Sequence, residues 1–143
     1  MDTSGYQDIA DKLREAGIPV TFQRLEIGRV LFSGPVHLSA DQVLARVREK
    51  TPEMSRATIY NTLKVFRDRN LIRELIIDPE RIFYDSSMHP HYHMYDMTTG
   101  ELRDLGPDDL RVVGRPVLPE GVALEEIDVI VRVRSRAADA VAA

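Results

Sequence analysis

The stretch HPHYHMYD at residues 89–96 places His89, His91 and His93 within five residues, while the remaining histidine, His37, lies far upstream. In an extended strand, residues two apart share a face. His91 and His93 would then stand side by side, an arrangement suited to a metal ion or a haem iron. With carboxylates beside them, imidazoles suit iron(II), manganese(II), zinc or cobalt. Spacing alone leaves an alternative open, because an H-x-H pair on a polar strand is also met as plain surface decoration. The chain has no cysteine, which removes disulfides, thiolate-held zinc and iron–sulfur clusters.

A second stretch, SRATIYNTLKVFRDRNLIR at residues 55–73, carries different chemistry. From Arg56 to Arg73 it sets Arg56, Lys64, Arg67, Arg69 and Arg73 against one acid, Asp68. On a helix, Arg56, Tyr60, Lys64 and Arg67 form a stripe, and Ile59, Leu63 and Phe66 form a separate apolar one. Arginine can read guanine, Asn61 can read adenine, and Tyr60 can pack on a thymine methyl or bind phosphate. Gln23 and Arg24 open an earlier helix, where side chains often meet phosphates. A solvated basic face would look the same in isolation, so the neighbouring elements decide.

Those elements are legible from caps and periodicity. Ile9, Leu13 and Ala16 predict a helix over 6–16, ended by Gly17 and Pro19. Thr21 caps a second helix, Phe22–Phe32, with Leu25, Val30 and Leu31 inward and SGP at 33–35 as its stop. Ser39 and Gln42 make a capping box for a third helix over 40–50, broken by Pro52. Ser55 caps a fourth, over 56–69. Two apolar segments, 71–77 and 82–85, flank the turn DPER and predict a hairpin. Three helices, a basic helix and a hairpin in that order describe a winged helix-turn-helix, with the fourth helix in the major groove and the hairpin as the wing.

The second half differs. HYHMYDM and ELRDL are short strand candidates around TTG. Residues 107–119 are loop-like, with three prolines. EIDVIVRVR alternates Ile127, Val129, Val131 and Val133 against Asp128, Ile130, Arg132 and Arg134, and predicts a strand that serves both core and dimer. Arg132 and Arg134 also suit gatekeepers against edge aggregation. The tail 135–143 is expected to fray. About 55 residues of strand and loop bury little alone, so a second copy is expected to complete this half. The expected fold is α+β: an N-terminal winged helix-turn-helix over 1–85, then a small α/β dimerisation domain over 86–143.

Of 143 residues, 43% are hydrophobic and 29% charged, with a formal net charge of −4. Residues 1–85 balance 13 basic against 13 acidic side chains, whereas 86–143 hold 6 against 10. This argues against attraction of the whole surface to nucleic acid and does not exclude a local basic face. The opening MDTSGYQDIADKLREAG is acidic and polar, unlike a signal peptide. No apolar run approaches about 18 residues, so no membrane span and a cytoplasmic location are expected.

GIPVTFQRLEIGRVLF, VHLSADQV, SRATIYNTLKVFRDRNLI and the histidine cluster, in that order, resemble the ferric uptake regulator (Fur) family over about residues 5–105. LPEGVALEEIDVIVRVR, with an H-x-H cluster and no downstream cysteines, looks more like its iron response regulator (Irr) branch. The resemblance implies a homodimeric transcription factor on a pseudo-palindromic double-stranded DNA operator. It implies a regulatory site for a divalent metal between the two domains, drawing on His37, Asp85, His91, His93 and Asp104, with His89 at a further position of the cluster. Iron(II) or manganese(II) is the expected ion, with zinc as a substitute. Likeness to Irr adds haem on His89, His91 and His93. Arg14 resembles a basic position that relatives place near the minor groove, and Thr58 belongs to the expected DNA contacts with Arg56, Tyr60, Asn61 and Lys64. Many relatives carry C-x-x-C where this chain has Asp96 and Thr99, so no structural four-cysteine zinc is expected. Likeness to Irr implies activity when iron is scarce, and likeness to Fur proper implies the reverse.

Three rival readings remain at this level. A small metal-dependent enzyme using His91 and His93 lacks any further base or nucleophile. A peroxide-sensing repressor would oxidise one of its own histidine ligands. An interaction module that has lost DNA binding would have lost the basic stripe, which is present.

Overall fold

The computed structural model describes residues 4–34, 36–87 and 92–136. The chain divides into two compact units, Met1–Met88 and His89–Ala143, and its fold is α+β.

The first unit runs α1 (Ser4–Glu15), α2 (Phe22–Phe32), β1 (His37–Ser39), α3 (Ala40–Arg48), α4 (Arg56–Asp68), β2 (Arg73–Asp78) and β3 (Arg81–Asp85). Each helix starts or stops where a side chain demands it. Gly17 ends α1 with φ 74°. The Ile18 amide then donates to the Leu13 carbonyl at 2.8 Å and the Gly17 amide to that of Arg14 at 3.0 Å, a left-handed cap that turns Ile18 into the core. Asn70 repeats the device after α4, with φ 60° and the Leu71 amide donating to the Phe66 carbonyl at 2.9 Å. Thr21 and Ser55 cap α2 and α4, and Ser39 with Gln42 forms the capping box of α3. These hydrogen bonds satisfy helix-end groups that would otherwise face only water.

Leu13, Ile27, Leu31, Val43, Val47, Ile59, Leu63 and Phe66 form the centre of one apolar core and are solvent-free. Leu13, Leu31, Ile59, Leu63 and Phe66 are the inward positions read from the sequence. Leu25 is only half-buried and Ile27 takes the central place. Gly28 explains the rotation: a Cβ there would sit 2.6 Å from Ile9 Cγ2, so α1 packs directly on the α2 backbone.

The sheet order is β1-β3-β2, all antiparallel. Sequence periodicity missed β1, because three residues cannot display alternation and the last of them doubles as the α3 cap. His37 therefore opens a strand. The hairpin turns at DPER as expected, with the Glu80 amide donating to Asp78 Oδ1 at 2.9 Å. A bulge lies between Ile76 and Asp78.

In the second unit the described residues form β4 (Tyr92–Asp96), β5 (Leu102–Leu105) and β6 (Ile130–Val133), ordered β5-β4-β6. β4 pairs with β5 antiparallel and with β6 parallel. The strand expected from 126 starts only at Ile130, and Ile127 is exposed. Val129 only begins the pairing, its carbonyl accepting from the His93 amide at 3.1 Å, and the regular ladder starts one residue later. The expected fraying from 135 is also corrected at its start. Ser135 Oγ donates to Asp96 Oδ2 at 2.5 Å, and the Ser135 amide to Thr98 Oγ1 at 3.1 Å. Residues 137–143 lie outside the described residues.

Candidate DNA-reading face and metal-ligating pairs

Helix α4 separates its faces cleanly. Ile59, Thr62, Leu63 and Phe66 are buried, and Arg56, Tyr60, Asn61 and Lys64 are exposed. The expected contacts differ in how committed they already are. Arg56 Nη1 donates to Asp41 Oδ1 on the first turn of α3. Asp41 first, then Tyr60, holds the guanidinium more firmly protonated than usual. Thr58 is half-buried, and its hydroxyl lies 2.8 Å from Ser55 Oγ in the helix cap. Arg67 is turned away to Glu74 on β2 at 2.7 Å and to Asp68, so the basic stripe is shorter than its sequence suggests. Arg24 Nη1 donates to the Pro19 carbonyl at 2.8 Å, Gln23 is exposed, and Arg14 pairs with Asp11 at 3.4 Å.

Two His–Asp pairs are set by strand register. In the first unit β1 lies against β3 with His37 opposite Asp85. His37 Nε2 is 3.3 Å from Asp85 Oδ2, and the Asp85 side chain is fully buried. The Ser87 amide donates to the other carboxylate oxygen at 2.8 Å. In the second unit β4 lies against β5 with His93 opposite Asp104. His93 Nε2 is 3.5 Å from Asp104 Oδ1, with side chains 2% and 46% exposed. Among the described residues the same device, a histidine facing an aspartate across antiparallel strands, thus occurs in each unit. His89 and His91 lie outside the described residues.

These pairs fit a metal. Two ligand atoms at about 2.1 Å from one ion and near a right angle are about 3 Å apart, close to both separations. The donors are imidazole nitrogen and carboxylate oxygen, the set borderline divalent ions take. Sequence reasoning gave no sign of Glu26, which is 4% exposed. It accepts from Tyr6 Oη at 2.6 Å and Thr51 Oγ1 at 3.4 Å, and lies 3.6 Å from Arg29 Nε. A glutamate in an apolar helix stretch, with Arg29 three residues on, was the available signal.

A sequence model of the ferric uptake regulator family matches residues 15–132. The chain belongs to the ferric uptake regulator family. Fur-family proteins are metal-responsive transcription regulators that bind DNA as dimers, and they are not enzymes, which sets the catalytic reading aside. The structure resembles the Vibrio cholerae ferric uptake regulator, with TM-score 0.69 and 20% identity over 88% of this chain and 98% of that one. It also resembles the Pseudomonas aeruginosa ferric uptake regulator solved with manganese, with TM-score 0.67 and 24% identity over 90% and 98%. Among sequences, it is 38% identical over 92 residues to the peroxide-responsive repressor PerR of Staphylococcus epidermidis, 64% of this chain and 61% of that protein. It is 36% identical over 103 residues to PerR of Staphylococcus aureus strain Mu50, 72% of this chain and 70% of that one. This Fur-family chain thus spans about three fifths of the first relative. These sequence relatives bear the PerR name, not Irr. No helix among the described residues is long and apolar enough to cross a membrane.

Proposed function

We propose that this Fur-family chain is a dimeric repressor that reads a pseudo-palindromic operator with α4 and responds to a divalent metal, iron(II) or manganese(II), held by His37, Asp85, His93 and Asp104. The single observation that carries this is the pairing, within each unit, of a histidine with an aspartate at a ligand-like separation. The first unit acts as the DNA-binding domain and the second as the dimerisation domain. Arg14, Gln23, Arg24, Arg56, Thr58, Tyr60, Asn61 and Lys64 supply the contacts to DNA, and His89 and His91 extend the histidine set. A bound divalent ion supplies a positive charge that imidazole and carboxylate ligands must all face. The ligands come from both units, so metal occupancy and DNA affinity are linked, on the usual scale of about 1–3 kcal/mol.

The test is operator binding by the purified protein, metal-free and with iron(II), manganese(II) or haem. Binding should change on adding the metal, and His37→Ala with His93→Ala should weaken manganese(II) binding at least about 100-fold in calorimetric titration. An unchanged titration in that double variant would remove the four-ligand site. A response to haem alone would favour the Irr-like reading, in which His89, His91 and His93 hold the porphyrin iron. His93, buried against Asp104, suits a small ion better.

A second reading is favoured by the PerR name of the relatives. With iron(II) bound, peroxide would add one oxygen atom to a ligand imidazole and leave water. Mass spectrometry should then find a peptide carrying His37 or His91 heavier by about 16 Da. Unmodified peptides after peroxide would retire this reading and leave the metal-responsive one standing.

A further inference from the structure

Arg56 occupies the first position of α4, where the helix dipole disfavours a cation. It is held there by Asp41, which stands on the first turn of α3, where a carboxylate is favoured. Both side chains are largely exposed, 58% and 71%. An exposed ion pair of this kind adds little to stability, about 0–1 kcal/mol, so its effect lies in where it puts the guanidinium. Arg56 has five N–H donors in a rigid fork, and Asp41 engages one nitrogen. The donors left over suffice for a bidentate grip on guanine, the commonest specific contact of an arginine in the major groove. A free arginine at the same place would bond any phosphate within reach.

We propose that Asp41 is a specificity-determining residue, positioning Arg56 to read guanine while its own charge repels non-cognate phosphates. The inference rests on the DNA-reading function proposed above. It combines a positive element, a pre-set arginine, with a repulsive one. Asp41 touches the base only through Arg56 and is a positioning residue.

The experiment selects duplexes from a random-sequence library with the metal-loaded full chain and its Asp41→Asn, Asp41→Glu, Arg56→Ala and Asp41→Asn/Arg56→Ala variants. The wild type should enrich sites with a guanine preference that Arg56→Ala abolishes. Asp41→Asn should cut that preference about 5–10-fold at the same position, and should tighten binding to a scrambled duplex about 2–3-fold. Asp41→Glu, which keeps the charge, should retain most of the preference. In the Arg56→Ala background Asp41→Asn should change no base preference. An Asp41→Asn profile identical to wild type would overturn the proposal, as would an Asp41→Asn effect that persists without Arg56. A guanine preference surviving Arg56→Ala would overturn it too. Absence of enrichment by the wild type would instead bring down the DNA-reading function itself.

Discussion

At the scale of single residues, each polar group withdrawn from water is given partners. Glu26 shows what a mismatch would cost. It gathers Tyr6, Thr51 and Arg29 around a buried carboxylate, and its hydrogen bond pushes the Tyr6 hydroxyl above the ordinary tyrosine range. Glu26→Ala should lower stability by about 2–3 kcal/mol in urea unfolding, the milder end for a broken buried pair, because the Arg29 side chain stays 24% exposed. Little of this was legible beforehand. His93 was singled out by its spacing from His91. His37, Asp85 and Asp104 came only through family resemblance, since the registers that set each aspartate opposite a histidine are long-range. Tyr60 and Asn61 were visible as the polar side of an amphipathic helix. That Arg67 would be spent on Glu74 was not, because its partner sits on another element.

At the scale of elements, the helices were readable almost to their ends, because caps are local chemistry. Thr21, Ser39, Ser55 and Gly17 act within four residues of themselves. Strands were readable only where alternation lasted long enough: β1 was too short to show it, and β6 starts only at Ile130 although EIDVIVRVR alternates from further upstream. Packing between helices rests on Gly28, against which Ile9 closes. Gly28→Ala should cost about 1–3 kcal/mol through overpacking, despite the better helix propensity of alanine. An unchanged denaturant midpoint would show that Ile9 can move aside. The turn after β4 gives a pH prediction. The Ser135 hydroxyl first, and then the Thr98 amide, hold the Asp96 carboxyl below the ordinary aspartate range. A depressed value means that the ionised form stabilises the fold. That contribution is complete above the unfolded value of about 4 and disappears as pH falls through the folded value. Asp96→Asn should therefore flatten the acid side of the stability curve below about pH 4, with little effect on its slope near pH 7.

At the scale of the whole molecule, the second unit poses the question of association. Val113 and Val117 are 85% and 99% exposed, and Val112, Leu118, Val122, Leu124 and Ile127 are exposed beside them in sequence. So much apolar side chain on one segment marks a contact surface more than a free one. With no cysteine in the chain, the dimer proposed above would be held by apolar burial and strand edges. EDTA should then abolish the metal response without dissociating the dimer in sedimentation velocity. A shift to monomer on chelation would mean that metal also holds the subunits together.

The parallel pairing of β4 with β6 also bears on how the protein is made. Residues 97–129 must be synthesised before β6 can reach β4. At about 5–20 residues per second, the ribosome takes roughly 2–7 s over them. Through that interval one flank of β4 offers bare amides and carbonyls to any passing chain. Stalled nascent chains ending just short of Ile130 should aggregate more, or hold chaperones longer, than chains extended beyond Ser135.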